Sequence, residues 1–258
     1  AVKTSGGSSV KVTASESVHV SGAKGAVTVT TGAVTSSSTT LIGAVRSDTG
    51  GTAGDAKGVY VTGGTDVSVT VSGSNTQAIK IGAAAYSKDA VNATTYPKSN
   101  GNVSYDPTGN VTVTGATSTT STTTGKKDAT FNTGTVDIYT NGGSTVTVKG
   151  AGTTTVTDQG AFGLRLASTD LADTIGTSTV TTVNLAGLSG NATITSDAIS
   201  TVSVSDTLGA RTVTVANSGK AGVNAGAINF VVSNLGGSSA NVTLKDDTAT
   251  TVNVSSGS

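Results

Sequence analysis

Short runs in which Val, Ile or Leu alternates with Thr, Ser or Asn recur along the whole chain. Typical runs are Val67–Val71, Val111–Val113, Val146–Val148 and Val202–Val204. Alternation with a period of two is typical of a β-strand with one buried face. Segments rich in Gly, Asn and Asp separate the runs, so the pattern predicts a repeat architecture. The runs begin at Val18, Val27, Val67, Val111, Val146, Val183, Ala192, Val202, Val213, Val242 and Val252.

The spacing of these runs predicts how the chain coils. Strands expected near positions 183, 192, 202 and 213 imply a coil of about twenty residues with two strands and two corners. We therefore predict an all-β fold, an elongated right-handed parallel β-solenoid (β-helix) with long loop insertions. About twelve rungs at roughly 4.8 Å each would give a body about 58 Å long. The side chains predicted to point inward are Val67, Val69, Val111, Val113, Val146, Val148, Ile194, Val202, Val204, Val213 and Val215.

Composition supports a thin core. Aromatic residues make up 3% of the 258 residues, and Trp and Met are absent. A wide globular core needs large side chains, so Val, Ile, Leu and Ala favour a narrow solenoid over a sandwich or barrel. Thr and Ser together form roughly a third of the chain, but the in-phase Val residues argue against disorder.

Three stretches interrupt the rhythm and are predicted to be loops that project from the solenoid: 43–58, 83–102 and 116–134. They divide the chain into a decorated part, 1–170, and a more regular part, 171–258, which we expect to be continuous. A single helical turn is expected near Ser168–Ala172. Long loops on a repeat scaffold are usual places for recognition, although solvated decoration is an equal alternative.

Charge and cysteine content limit the partners. The formal net charge is zero, so no field attracts nucleic acid or an anionic membrane. Cys is absent, which excludes disulfides and thiolate chemistry and fits export to a bacterial cell surface. No transmembrane segment or signal peptide is apparent. The chain starts at Ala, so we expect a processed protein or an excerpt of a larger one.

Catalytic residues are scarce. His19 is the single histidine and lies between Val18 and Val20, where we expect it to face solvent. Glu16 is the single glutamate, and no Ser/His/Asp spacing stands out. A pair of Asp residues can hydrolyse glycosides, but this chain lacks the aromatic and basic residues of a substrate groove. The sequence therefore predicts a protein that is not an enzyme.

Two Asn-Val-Thr triplets place Asn directly before a strand, at Asn110 and Asn241. Asn tolerates left-handed backbone geometry and can bond its own backbone, which suits a corner. The triplets are also glycosylation sequons, but a corner role is the favoured interpretation.

Calcium is the ligand that the sequence suggests, because it prefers carboxylate and carbonyl oxygens of loops. Asp170 and Asp173 come nearest to the Asp-x-apolar step of calcium-binding nonapeptide repeats. Gly63-Gly64-Thr65-Asp66 is a fragment of that repeat, and Asp246-Asp247 is a further acidic spot.

The segments Ser178–Gly187 and Asn191–Val204 carry a family resemblance. Their Ala-Thr-Ile, Ser/Asp corner and Thr-Val phrases resemble the β-repeats of bacterial surface-layer proteins and large type I-secreted (RTX-like) adhesins, above all the Caulobacter type of surface-layer protein. The likeness covers residues 140–258; intact nonapeptide repeats are missing from the chain. It implies a secreted, calcium-stabilised, self-assembling protein outside the cell.

Two functions follow as hypotheses. The first is a structural subunit or segment of a surface layer or extracellular filament, which forms a homo-oligomer or lattice. Its uncapped strand edge would pair head to tail with another copy or continue into further sequence. The alternative is an adhesin module whose loops bind a cell-surface glycan or protein. The aromatic contacts proposed for it are Tyr86, Tyr96, Tyr105, Phe131 and Tyr139. A phage-fibre or trimeric autotransporter segment is a third option, disfavoured because heptads are absent.

Overall fold

The structure, a computed structural model, describes residues 2–15, 17–33, 58–73, 75–82, 106–115, 134–158, 178–207, 209–216, 225–233, 235, 241–246 and 249–256. Over these ranges the chain forms eighteen β-strands and no helix. The first nine are β1 (Val2–Ser5), β2 (Val10–Ala14), β3 (Val18–Ala23), β4 (Val27–Thr31), β5 (Gly58–Gly63), β6 (Val67–Val71), β7 (Ala78–Ile81), β8 (Val111–Thr114) and β9 (Val136–Thr140). The others are β10 (Thr145–Lys149), β11 (Thr154–Asp158), β12 (Thr182–Ala186), β13 (Ala192–Thr195), β14 (Thr201–Ser205), β15 (Arg211–Ala216), β16 (Ala225–Ser233), β17 (Val242–Asp246) and β18 (Ala249–Ser256).

The strands form two sheets that the chain visits in turn. Odd-numbered strands make a nine-stranded sheet, here sheet A, in the order β1 to β17. Even-numbered strands make a second nine-stranded sheet, sheet B, from β2 to β18. Neighbouring strands pair in parallel, as β2 does with β4 and β10 with β12. Each rung therefore has two strands, and the predicted all-β parallel β-solenoid is confirmed.

The number of rungs differs from the prediction. Val10 aligns with Val27 and Val183 with Val202, so the shortest coils are close to the expected twenty residues. Nine rungs form in the described part of the chain instead of about twelve, so the stack, counted in the same way, is about 43 Å long. The reason is that consecutive described rungs can lie far apart in sequence, since Val27 aligns with Val67 and Val67 with Val111, about twice the expected spacing.

Inward side chains at matching positions of successive strands stack in continuous rows, here called files. In sheet B one file runs Val10, Val27, Val67, Val111, Val146, Val183, Val202, Phe230 and Val254. All eleven residues predicted to point inward are buried, each at most 1% exposed. The buried core cluster consists of Val, Ile, Leu and Ala with one Phe, Phe230.

Polar side chains fix the corners between rungs. The carboxylate of Asp66 accepts the backbone N–H of Asn110, and the side-chain oxygen of Asn110 accepts those of Ser144 and Thr145. Asn110 thus holds a corner, as predicted, but it bonds the next rung instead of its own backbone. Its φ is not positive: among the described non-Gly residues that angle is positive at Asp206 alone.

Glycine is required at one corner of the β5–β6 turn. Gly63 has a φ of 76°, and a Cβ there would lie 2.5 Å from the carbonyl oxygen of Ala23. A side chain at this position would therefore clash with the rung before it.

Both sheets run through the boundary expected near residue 170. β10 pairs with β12 and β11 pairs with β13 across it. The division into 1–170 and 171–258, and the right-handed coil, stay predictions.

Candidate functional site

Most of the residues singled out from the sequence lie outside the described part of the chain. These are Tyr86, Tyr96, Tyr105, Phe131, Asp170 and Asp173, with almost all of 43–58, 83–102 and 116–134 and the turn expected at Ser168–Ala172. Tyr139 is described and lies half-buried on the outer face of β9. The described candidates for a functional surface are therefore the two outer faces and the ends of the stack.

Several carboxylates in the described residues accept hydrogen bonds from the backbone. No group of three or more His, Cys, Asp or Glu side chains able to hold a metal occurs among these residues. Asp246 accepts the backbone N–H of Ala249 through Oδ1, as Asp66 does for Asn110. These two acidic spots from the sequence act as corner acceptors.

Asp158 joins the two sheets at a buried corner. Its side chain is fully buried at the end of β11, and Oδ2 accepts the backbone N–H groups of Thr179 and Val180 at 2.7 and 2.8 Å. The hydroxyl of Ser196 donates to the same oxygen at 3.2 Å. Charge-assisted bonds to several donors compensate a carboxylate for its burial, so Asp158 is a structural residue.

The first rungs of sheet A carry ionisable and aromatic side chains on their outer face. His19, Tyr60, Lys80 and Asp137 occupy successive positions of one file. The rings of His19 and Tyr60 lie with centroids 4.8 Å apart, and the two residues are 5% and 8% exposed. The expectation that His19 faces solvent was therefore wrong, because Tyr60 packs against its ring. Burial, and secondly the Asp137 carboxylate, raise the pKa of Tyr60 above its ordinary value.

Over the same rungs, the outer face of sheet B carries small hydroxyl side chains. Two files of hydroxyl side chains run side by side along it, and we call them the hydroxyl grid. One file is Thr28, Ser68, Thr112 and Thr147; the other is Thr13, Thr30, Thr70 and Thr114. Its four central hydroxyls, on Ser68, Thr70, Thr112 and Thr114, make no hydrogen bond with the protein in the described part of the chain. Within the described residues, these hydroxyls therefore keep their hydrogen-bonding capacity for water or a ligand.

The last described strands, β17 and β18, leave some inward-facing side chains uncovered. Val252 and Val254 of β18 are 47% and 63% exposed, although their partners Ile228 and Phe230 are buried. Leu244 of β17 is half-buried at the corresponding edge of sheet A. These inward-facing side chains are exposed because the described chain has no following rung to cover them.

No helix among the described residues is long and apolar enough to cross a membrane. No protein-family model matches the chain, and searches of curated proteins and of solved structures gave no match.

Proposed function

We propose that this chain is a structural, self-assembling protein of the bacterial cell surface, a subunit or segment of a surface layer or extracellular filament. The observation that supports the proposal is the exposure of Val252 and Val254 on β18, the last strand of sheet B in the described part of the chain. An edge strand is a template for another strand. The occupant we propose is the N-terminal rung of a second copy.

The two ends of the stack match in sheet, strand direction and side-chain type. Sheet B ends in β18 at one end and in β2 at the other, and sheet A ends in β17 and β1. If the register of the files continues, Val254 stacks on Val10 of the next copy. In sheet A, β17 then pairs with β1 of the next copy. Every rung junction would repeat the parallel pairing found inside the chain.

The energetics favour a growing array. Covering Val252 and Val254 contributes roughly 1 kcal/mol each, and new backbone hydrogen bonds add to this. Net charge is zero, so little repulsion separates copies. A head-to-tail contact between different surfaces is heterologous and produces filaments unless it closes into a ring.

The extracellular location rests on composition and resemblance. The chain contains no Cys and is rich in Thr and Gly, and its C-terminal half resembles surface-layer repeats. Within the same proposal, Asp170 and Asp173 bind calcium that stabilises the fold. Removal of calcium with a chelator should then lower the melting temperature; an unchanged melting curve would contradict that part.

The test compares two exposed valines. Val252→Lys places a charge on the open edge, whereas Val231→Lys places the same charge on the outer face of sheet B, where Val231 is 36% exposed. We expect wild type and Val231→Lys to form filaments or sheets in negative-stain electron microscopy and sedimentation, with calcium present. Val252→Lys should stay monomeric. A monomeric wild type at high concentration would contradict the proposal and favour the adhesin alternative.

A second variant acts on the backbone of sheet A. The N–H of Arg211 donates to the carbonyl of Asn241, so the N–H of its register partner Val242 faces the open edge. Val242→Pro therefore removes an edge donor and spares the bonds to β15. We expect it to block assembly with little change in the melting temperature; assembly equal to that of wild type would argue against pairing at this edge.

A further inference from the structure

The hydroxyl grid of sheet B has a regularity that solenoid assembly does not require. The outer positions of β4, β6 and β8 are Thr-x-Thr, Ser-x-Thr and Thr-x-Thr, aligned with no register shift. Thr13 extends the grid on one side and Thr147 on the other. Lys11 and Lys149 mark its ends, and no charged residue lies between them in either file.

The grid has two repeats, both set by the backbone. Hydroxyls of adjacent rungs are separated by roughly 4.8 Å, and hydroxyls at positions i and i+2 of a strand by roughly 6.7 Å. Because Thr is β-branched, its side chain has few rotamers on a strand, and hydroxyl and methyl keep fixed places. The underlying Val67, Val69, Val111 and Val113 are at most 1% exposed, so the grid stands on a packed support.

We propose that the hydroxyl grid binds ice. Ice presents oxygen atoms in a rectangular array whose repeats are close to the two spacings of the grid. Unbonded hydroxyls can hold water at those repeats, and the methyl groups between them order further water without strong charge hydration. A rigid array can contact many lattice positions at once, which converts weak individual contacts into stable adsorption.

Other occupants fit the grid less well. A glycan is usually recognised by aromatic rings, which the two files lack, and a protein partner needs larger apolar anchors. The same rungs of sheet A carry Tyr60, Lys80 and Asp137, whose size and hydration do not repeat with the rungs. The proposal is independent of end-to-end assembly, because the grid lies on a face and not at an edge.

The test uses the 258-residue chain and slowly growing ice. Thr70→Lys places a long charged side chain in the centre of the grid, and Thr214→Lys makes the same change on the outer face of β15 in sheet A. We expect wild type and Thr214→Lys to be incorporated into ice and to produce thermal hysteresis. Thr70→Lys should be excluded from ice and lose the hysteresis.

Two further variants separate the grid from folding and assembly. Thr70→Val keeps the shape and removes one hydroxyl, so it should reduce hysteresis with an unchanged far-ultraviolet circular dichroism spectrum. Ser68→Thr adds the methyl group that the other residues of the grid carry, and it should increase hysteresis. Val252→Lys, which blocks assembly, should keep ice binding. The proposal is overturned if wild type is excluded from ice like an inert protein, or if Thr70→Lys alters self-association and leaves ice partitioning unchanged.

Discussion

The outer faces of the two sheets differ much more than their inner faces. Over the first rungs both sheets point Val or Ile inward, at most 7% exposed. On the outside, sheet A presents His19, Tyr60, Lys80 and Asp137 in one file, while sheet B presents the hydroxyl grid.

The register of the two sheets differs as well. A shift interrupts the pairing of β3 with β5 between Val20 and Ala23, whereas β2 to β10 of sheet B pair in continuous register. The inner files therefore specify the solenoid and leave the outer files open to function. A regular file on an outer face therefore indicates function more directly than a regular core does.

The largest losses of stability should come from truncating core side chains, and they should be equal in the two sheets. Ile81→Ala in sheet A and Leu185→Ala in sheet B both empty a fully packed position. Each should lower the free energy of unfolding by about 2–5 kcal/mol, because a buried side chain is lost and a cavity remains. Thr112→Ala on the outer face, the control, should change it by no more than about 0.5 kcal/mol. Denaturant titration measures the unfolding free energy of all three variants. A large loss in one sheet alone would contradict the conclusion that the inner faces of the two sheets are equivalent.

A smaller difference in stability loss should separate variants at two corners of the solenoid. The side-chain oxygen of Asn110 accepts two backbone N–H groups before β10, whereas that of Asn191 accepts one, from Thr212 of β15. Asn110→Ala should therefore cost about 1–2 kcal/mol of unfolding free energy, and Asn191→Ala about 1 kcal/mol. Asn110→Asp keeps the acceptor and serves as the control in thermal unfolding. Equal losses from both alanine variants would show that the count of accepted bonds does not set corner stability.

The smallest effect is a pH dependence confined to sheet A. Since burial and Asp137 raise the pKa of Tyr60, the fold disfavours the ionised phenol. The corresponding stability is fully present below about pH 10 and is lost as pH rises through the folded-state pKa. Ultraviolet titration of tyrosinate should reveal a late step that disappears in Tyr60→Phe and persists in Tyr139→Phe. Asp137→Asn should move the step to lower pH; an unmoved step would exclude the Asp137 carboxylate as a cause.

The sequence predicted the fold class because burial on one face imposes a period of two. All eleven alternating runs lie in strands of the structure. The alternation did not predict β11, because Val156 is its single apolar residue. It did not predict β16, because the adjacent Val231 and Val232 break the alternation. Position in the stack, more than the pattern itself, decides whether such a segment is a strand.

The outer faces were harder to predict for a related reason. Thr28, Ser68 and Thr112 align across connections of unequal length, so their file is not visible as a sequence repeat. The burial of His19 depends on Tyr60, which is distant in sequence and adjacent in register. Alternation indicates which side of a strand a residue takes, but only the register indicates its neighbours.

The most direct test of the assembly account uses cysteine in a chain that has none. Val10 and Val254 lie at opposite ends of one inward file, too far apart to bridge within a molecule, yet adjacent where β18 of one copy pairs with β2 of the next. Neighbouring parallel strands bring Cα atoms to a distance that a disulfide spans. Mild oxidation of the Val10→Cys, Val254→Cys double variant should give a ladder of covalent multimers on a non-reducing gel. The Val10→Cys, Val231→Cys pair should give no ladder. Monomers alone from the first variant, at concentrations where wild type is tested for assembly, would contradict end-to-end stacking.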